Sequence, residues 1–85
     1  MHVKLLYFAW VRERTGRSEE QVELPEGILT VRDLIQWLRA RGPEFAAAFD
    51  KADVIRAAID QTHVRHDASI SGAREIAFFP PVTGG

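Results

Sequence analysis

The chain has 85 residues, 46% hydrophobic and 27% charged, with a formal net charge of −1 and no cysteine. This length supports one domain with a modest core. The balanced charge leaves no basic footprint for nucleic acid, and the missing cysteine excludes disulfides, thiolate metal sites and cysteine nucleophiles. No apolar run approaches the ~20 residues of a membrane span, and Met-His-Val-Lys leads straight into strand-like sequence without a signal peptide, so the expected compartment is a reducing cytoplasm.

In chain order, VKLLYFAW (3–10) is an apolar β-rich run. Alternation puts Val3, Leu5 and Tyr7 on one face and Lys4, Leu6 and Phe8 on the other. RERTGRSEE (12–20) is polar, carries Gly16 and reads as a hairpin loop. Glu20, Val22 and Leu24 then alternate with Gln21 and Glu23 in a second strand, which Pro25 and Gly27 end.

The clearest helix follows. Thr30 is a good N-cap and Asp33 stands where its carboxylate can reach back, favoured there also by the helix dipole. Val31, Leu34, Ile35 and Leu38 form one buried stripe, which Trp37 flanks. Gly42 is expected to stop this helix and Pro43 to forbid its continuation. PEFAAAFD (43–50) reads as a short helical turn with Phe45 and Phe49 inward.

The β signal returns in VIRAAI (54–59), a tight turn at Asp60-Gln61, and THVRH (62–66). A further turn at Ile70–Gly72 precedes EIAFF (75–79), in which Ile76 and Phe78 face one way and Ala77 and Phe79 the other. A hairpin, a helix and then strands are most economically joined by a right-handed crossover, with the first and last strands side by side and parallel. The expected fold is therefore α+β, a β-grasp (ubiquitin-like) mixed sheet over residues 1–79, with one main helix on one face and a tail, 80–85. The other face carries Phe8 and Phe79, large enough together to form a docking patch.

The tail is PPVTGG. Proline fixes φ and donates no hydrogen bond, so Pro80 and Pro81 end the strand ladder and favour extended backbone. Val82 and Thr83 follow. Glycine at 84 and 85 removes every side-chain atom, which lets the tip enter a narrow channel. A terminal carboxylate on Gly85 would be unhindered, and an activating partner could convert it to an acyl-adenylate.

VKLLYFAWVRE, AAIDQTHV and above all EIAFFPPVTGG resemble the MoaD-type sulfur carriers, the small subunits of molybdopterin synthase. The resemblance runs the length of the chain, and the last eleven residues are its specific part. It implies that a ubiquitin-activating-type adenylyltransferase uses ATP to activate Gly85, and that a persulfide donor then makes a thiocarboxylate. The charged carrier would dock on the large catalytic subunit in a heterotetramer and give sulfur to cyclic pyranopterin monophosphate, forming the molybdopterin dithiolene. Gly85 would carry the sulfur and Gly84 permit threading. Phe8, Phe79, Pro80, Pro81, Val82 and Thr83 would contact the partner. Three features depart from the family pattern: Asp60 replaces a common asparagine, His63 replaces an apolar residue on the docking face, and the turn at 71–75 is longer.

Nothing else in the chain carries chemistry. There is no Gly-x-x-x-x-Gly-Lys-Ser/Thr or Gly-x-Gly-x-x-Gly motif, so ATP is expected to be handled by the partner and no cofactor or metal to be bound. His63 and His66, three apart on a strand, diverge rather than converge on a metal. The arginines at 12, 14 and 17 read as a solvated hairpin tip. Two other functions stay open on the residues alone. One is a related carrier serving thiamine or another thiolated product; the other is a ubiquitin-like docking module without sulfur chemistry.

Overall fold

The computed structural model describes residues 1–81. In order they form β1 (His2–Tyr7), α1 (Ala9–Thr15), β2 (Glu19–Glu23), α2 (Val31–Arg39), α3 (Pro43–Ala48), a 3-10 turn (Ala52–Val54), β3 (Arg56–Ile59), β4 (Thr62–Val64) and β5 (Glu75–Phe79). The five strands make one sheet in the order β2-β1-β5-β3-β4. β1 and β5 are central and parallel, with Leu5 opposite Ile76 and Tyr7 opposite Phe78; the other pairs are antiparallel. This is the β-grasp arrangement that the order of elements implied.

Burial follows alternation. Val3, Leu5 and Tyr7 of β1, Ala57 of β3, and Ile76 and Phe78 of β5 enter the core, where they meet Val31, Leu34, Ile35 and Leu38 of α2. Phe78 stacks with Tyr7 at 6.4 Å and meets Phe49 edge-on at 5.3 Å. α2 begins as expected: the Thr30 hydroxyl accepts from the Asp33 amide, and the Asp33 carboxylate accepts from the Thr30 and Leu29 amides. Those backbone donors, Leu29 first, hold the Asp33 carboxyl below its ordinary pKa.

Three local expectations need correction. Segment 12–20 is not a hairpin loop: β1 stops at Tyr7, and residues 9–15 form α1, capped by Gly16 in the left-handed region (φ 78°) with its amide bonded to the Arg12 carbonyl. Only Val11 and Thr15 of α1 are buried, one turn apart, so this helix shows no apolar stripe long enough to read. Gly42 does not stop α2, which ends at Arg39 with Ala40 as its C-cap; Gly42 is the N-cap of α3, with Pro43 in its first turn, where a missing amide costs nothing. α2 is the main helix, as expected, and α1, α3 and a 3-10 turn accompany it. Lastly, 54–59 and 62–66 are trimmed to Arg56–Ile59 and Thr62–Val64.

No helix among the described residues is long and apolar enough to cross a membrane.

Candidate functional site

β5 runs along the middle of the sheet and delivers the chain to Phe79, Pro80 and Pro81. A central strand cannot sway, so the root of the tail is fixed from both sides. The turn before β5 is tied as well. Asp60 and Gln61 adopt positive φ (48° and 73°), and the Asp60 carboxylate accepts from the amides of Arg74 and Glu75 at 3.1 and 3.0 Å. An aspartate here supplies the acceptor that an asparagine would.

The sheet face away from the helices gathers the remaining candidates. Leu6 of β1 lies opposite Ala77 of β5, and Ala77 lies opposite Ala58 of β3. Ala58 in turn faces His63 of β4. The two alanines are short and only 7% and 8% exposed, so they floor a shallow surface walled by larger neighbours. Phe79 stands at the tail end of this face, half-buried, with its ring 5.1 Å from that of His63. His63 is thus on the face expected of it.

Phe8 lies just beyond β1. Its backbone is still extended, its amide donates to the Phe78 carbonyl at 3.1 Å, and it caps α1. Continuing the β1–β5 register places it beside Phe79. At 47% exposure it is among the most exposed large apolar residues of the described chain. The next residue, Ala9, has φ 51°, a region that costs a non-glycine residue of order 1 kcal/mol. The strain falls where the chain must leave the sheet and enter α1 without burying Phe8. Next to it the Trp10 indole N–H is buried without a partner, and the Arg14 guanidinium lies 5.5 Å from the indole centroid.

Phe8, Phe79, Pro80 and Pro81, expected from the resemblance to contact a partner, lie together at one end of the sheet. Val82, Thr83, Gly84 and Gly85 lie outside the described residues. Ala58 was missed as part of this face, because placing it needs the β3–β5 register, which no local pattern states. The histidines do not converge: His63 is on the open face, while His66 holds its Nε2 2.7 Å from the Ile55 carbonyl, an acceptor only, so that nitrogen carries a proton. Among the described residues no three His, Asp or Glu side chains could hold a metal ion.

A polar clasp supports the opposite side of the sheet. The buried Tyr7 hydroxyl donates to Glu20 at 2.6 Å, Arg41 donates to both Glu20 oxygens at 2.7 and 3.0 Å, and Arg17 donates at 3.0 Å. Arg41 also covers the Phe45 ring at 4.5 Å. Burial by itself would raise the Glu20 pKa, but the Arg41 and Tyr7 hydrogen bonds and both guanidinium charges outweigh it and hold the carboxyl below its ordinary value. Burial, then the bond to Glu20, pushes the Tyr7 hydroxyl far up, so it stays a proton donor. Arg12, Arg14 and Arg17 are all exposed, as expected of them, but two of the three have partners: Arg17 bonds Glu20, and Arg14 reaches the Ala47 carbonyl at 3.4 Å.

The comparisons with known proteins agree with this geometry. The chain is 39% identical over 83 residues to the molybdopterin synthase sulfur carrier subunit of Escherichia coli (strain K12), covering 98% of this chain and 99% of that one. It is 34% identical over 83 residues to the subunit of the same name from Haemophilus influenzae, with the same coverage. Among solved structures, a Pyrococcus furiosus protein assigned as subunit 1 of a molybdopterin converting factor is 32% identical, with TM-score 0.71, covering 96% of this chain and 99% of that one. The small archaeal modifier protein 1 of Haloferax volcanii is 22% identical, with TM-score 0.71 over 95% of this chain and 98% of that one, and shows a shared fold. The profile of the ThiS family matches residues 5–85, and the chain belongs to that family.

Proposed function

We propose that this chain is the sulfur carrier subunit of molybdopterin synthase. One observation carries the reading: the central strand β5 ends at Phe79 beside Phe8, on an open face next to a proline pair that leads to Gly84 and Gly85. A carrier needs these parts together, a rigid body to dock and a slim end to insert. The shared name of the curated relatives supports the substrate assignment.

In this reading the Gly85 carboxylate attacks the α-phosphorus of ATP on an adenylyltransferase of the ubiquitin-activating type, releasing pyrophosphate. The terminal sulfur of a persulfide then attacks the acyl carbon and displaces AMP, and a second thiol on the donor side cleaves the resulting acyl disulfide, leaving the thiocarboxylate on Gly85 and a disulfide on the donor. The carrier docks through Phe8, Phe79, Pro80, Pro81, Val82 and Thr83 on the large catalytic subunit. Gly84 lets the end thread inward, and the sulfur passes to cyclic pyranopterin monophosphate. Two such deliveries complete the dithiolene. This chain contributes the carried atom and the docking surface, while its partners supply ATP binding and catalysis, all within the cytoplasm.

Reconstitution tests the reading. The chain, a large synthase subunit, an activating enzyme, ATP, a sulfur donor and the pterin precursor together should yield the dithiolene, and omission of this chain should abolish it. Sulfur delivered instead to a thiamine precursor, with none reaching the pterin, would move the chain to the other branch of the carriers.

A further inference from the structure

The β3–β4 register pairs Ala57 with Val64 and Ala58 with His63. β4 ends at Val64, and continuing its register by one residue would bring Arg65 opposite Arg56. On the other side Arg56 is paired with Phe79. Arg56 and Phe79 therefore share a row on the open face, and Arg65, just past the end of β4, lines the same cleft as Arg56. Like charges directly opposite one another on a sheet repel and destabilise it.

Nothing among the described residues neutralises the two arginines. Arg17 and Arg41 are matched to Glu20, but among the described residues no carboxylate lies within 4.0 Å of Arg56 or Arg65. Both line a cleft of about 340 Å³ shared with Arg32, Asp53, His66 and Asp67. The two aspartates are within the cleft yet unpaired with the arginines, and the Nε2 proton of His66 is engaged by the Ile55 carbonyl.

We infer that Arg56 and Arg65 are the charged corner of the docking surface, built to receive a carboxylate cluster on the protein that covers Phe79. This rests on the docking role proposed above. Neighbouring strands are roughly 4.8 Å apart, so a partner surface that seals Phe79 from water also strips water from Arg56. A guanidinium desolvated without a counter-charge is strongly unfavourable. The covering protein must therefore bring acid to this corner, and the acid also relieves the repulsion between the two arginines. The apolar part of the face supplies contact area; the arginine pair supplies orientation, and it selects against partners with a basic rim.

The test compares the full-length chain with its Arg56→Gln/Arg65→Gln variant, measuring affinity for the large synthase subunit across a salt series together with sulfur transfer. The variant should bind on the order of tenfold more weakly at low salt and lose much of the salt dependence. Its thermal midpoint should hold or rise, since the like-charge pair is gone. Equal affinity and an equal salt slope, with the wild-type chain binding and transferring sulfur, would overturn the inference and leave the docking role intact. A wild-type chain that does not bind the large subunit would remove both. Inorganic phosphate, titrated in parallel, should not bind the wild-type chain in the range where the partner does. Phosphate binding that disappears in the variant while partner affinity is unchanged would reassign the corner to a free oxyanion.

Discussion

Single residues in this chain carry opposite obligations, and Glu20 shows the structural kind. It accepts from Tyr7, Arg17 and Arg41 at once and joins β2 to the segment after α2. Its carboxyl is held below the ordinary value of 4.5 in the folded chain. A carboxylate of lower pKa in the folded state stabilises fully above the unfolded pKa, and that contribution fades as pH falls through the folded value. Thermal scans should therefore show the midpoint dropping below about pH 4.5. Glu20→Gln should flatten that acid limb and cost about 1–3 kcal/mol at neutral pH, because two guanidinium groups lose their counter-charge. An unchanged acid limb in the variant would show that the clasp is not the acid-labile element. Ala9 shows the strained kind. At φ 51°, Ala9→Gly should hold or raise the thermal midpoint, whereas the β-branched Ala9→Val should lower stability by about 1–2 kcal/mol.

At the scale of elements, β5 sets a core residue and an open-face residue side by side. Phe78 is fully buried against Tyr7 and Phe49, and Phe79 is half-buried on the opposite face. Phe78→Ala should cost about 3–5 kcal/mol of folding stability. Phe79→Ala should leave the fold standing but weaken association with the large subunit by on the order of 2 kcal/mol. Calorimetric unfolding and a binding titration on both variants separate the two, and a Phe79→Ala chain that unfolds readily would place Phe79 in the core. This division was legible in the sequence because a strand's period of two is strict and β5 is bounded by prolines. So was α2, whose stripe and capping pair are local signals. α1 was not legible: a seven-residue helix burying only Val11 and Thr15 has too narrow an apolar edge to rise above its arginines, although Gly16 after Arg12 and Arg14 was a usable stop signal. Gly42 was misassigned because Gly-Pro both ends one helix and begins another, and only the backbone tells which. The Arg56–Phe79 row and the Ala58 floor depend on strand register, which is set by turns and packing far apart in sequence.

At the scale of the whole molecule, three helices brace one side of a five-stranded sheet, and among the described residues the other side is open beside the root of the tail. Body and tail then have separable duties. Removing Gly85 should leave the thermal midpoint unchanged, since the core cluster among the described residues is built from β1, β2, β3, β5, the helices and their connections, yet end sulfur delivery. The most direct test is the intact mass of the chain after incubation with an activating enzyme, ATP and a persulfide donor. The account predicts replacement of one oxygen by sulfur, localised to Gly85 by fragmentation, and none in a chain carrying one extra residue after Gly85. Sulfur found elsewhere on the chain, or a Gly85 carboxylate left unmodified while the synthase still makes dithiolene with this chain present, would contradict it.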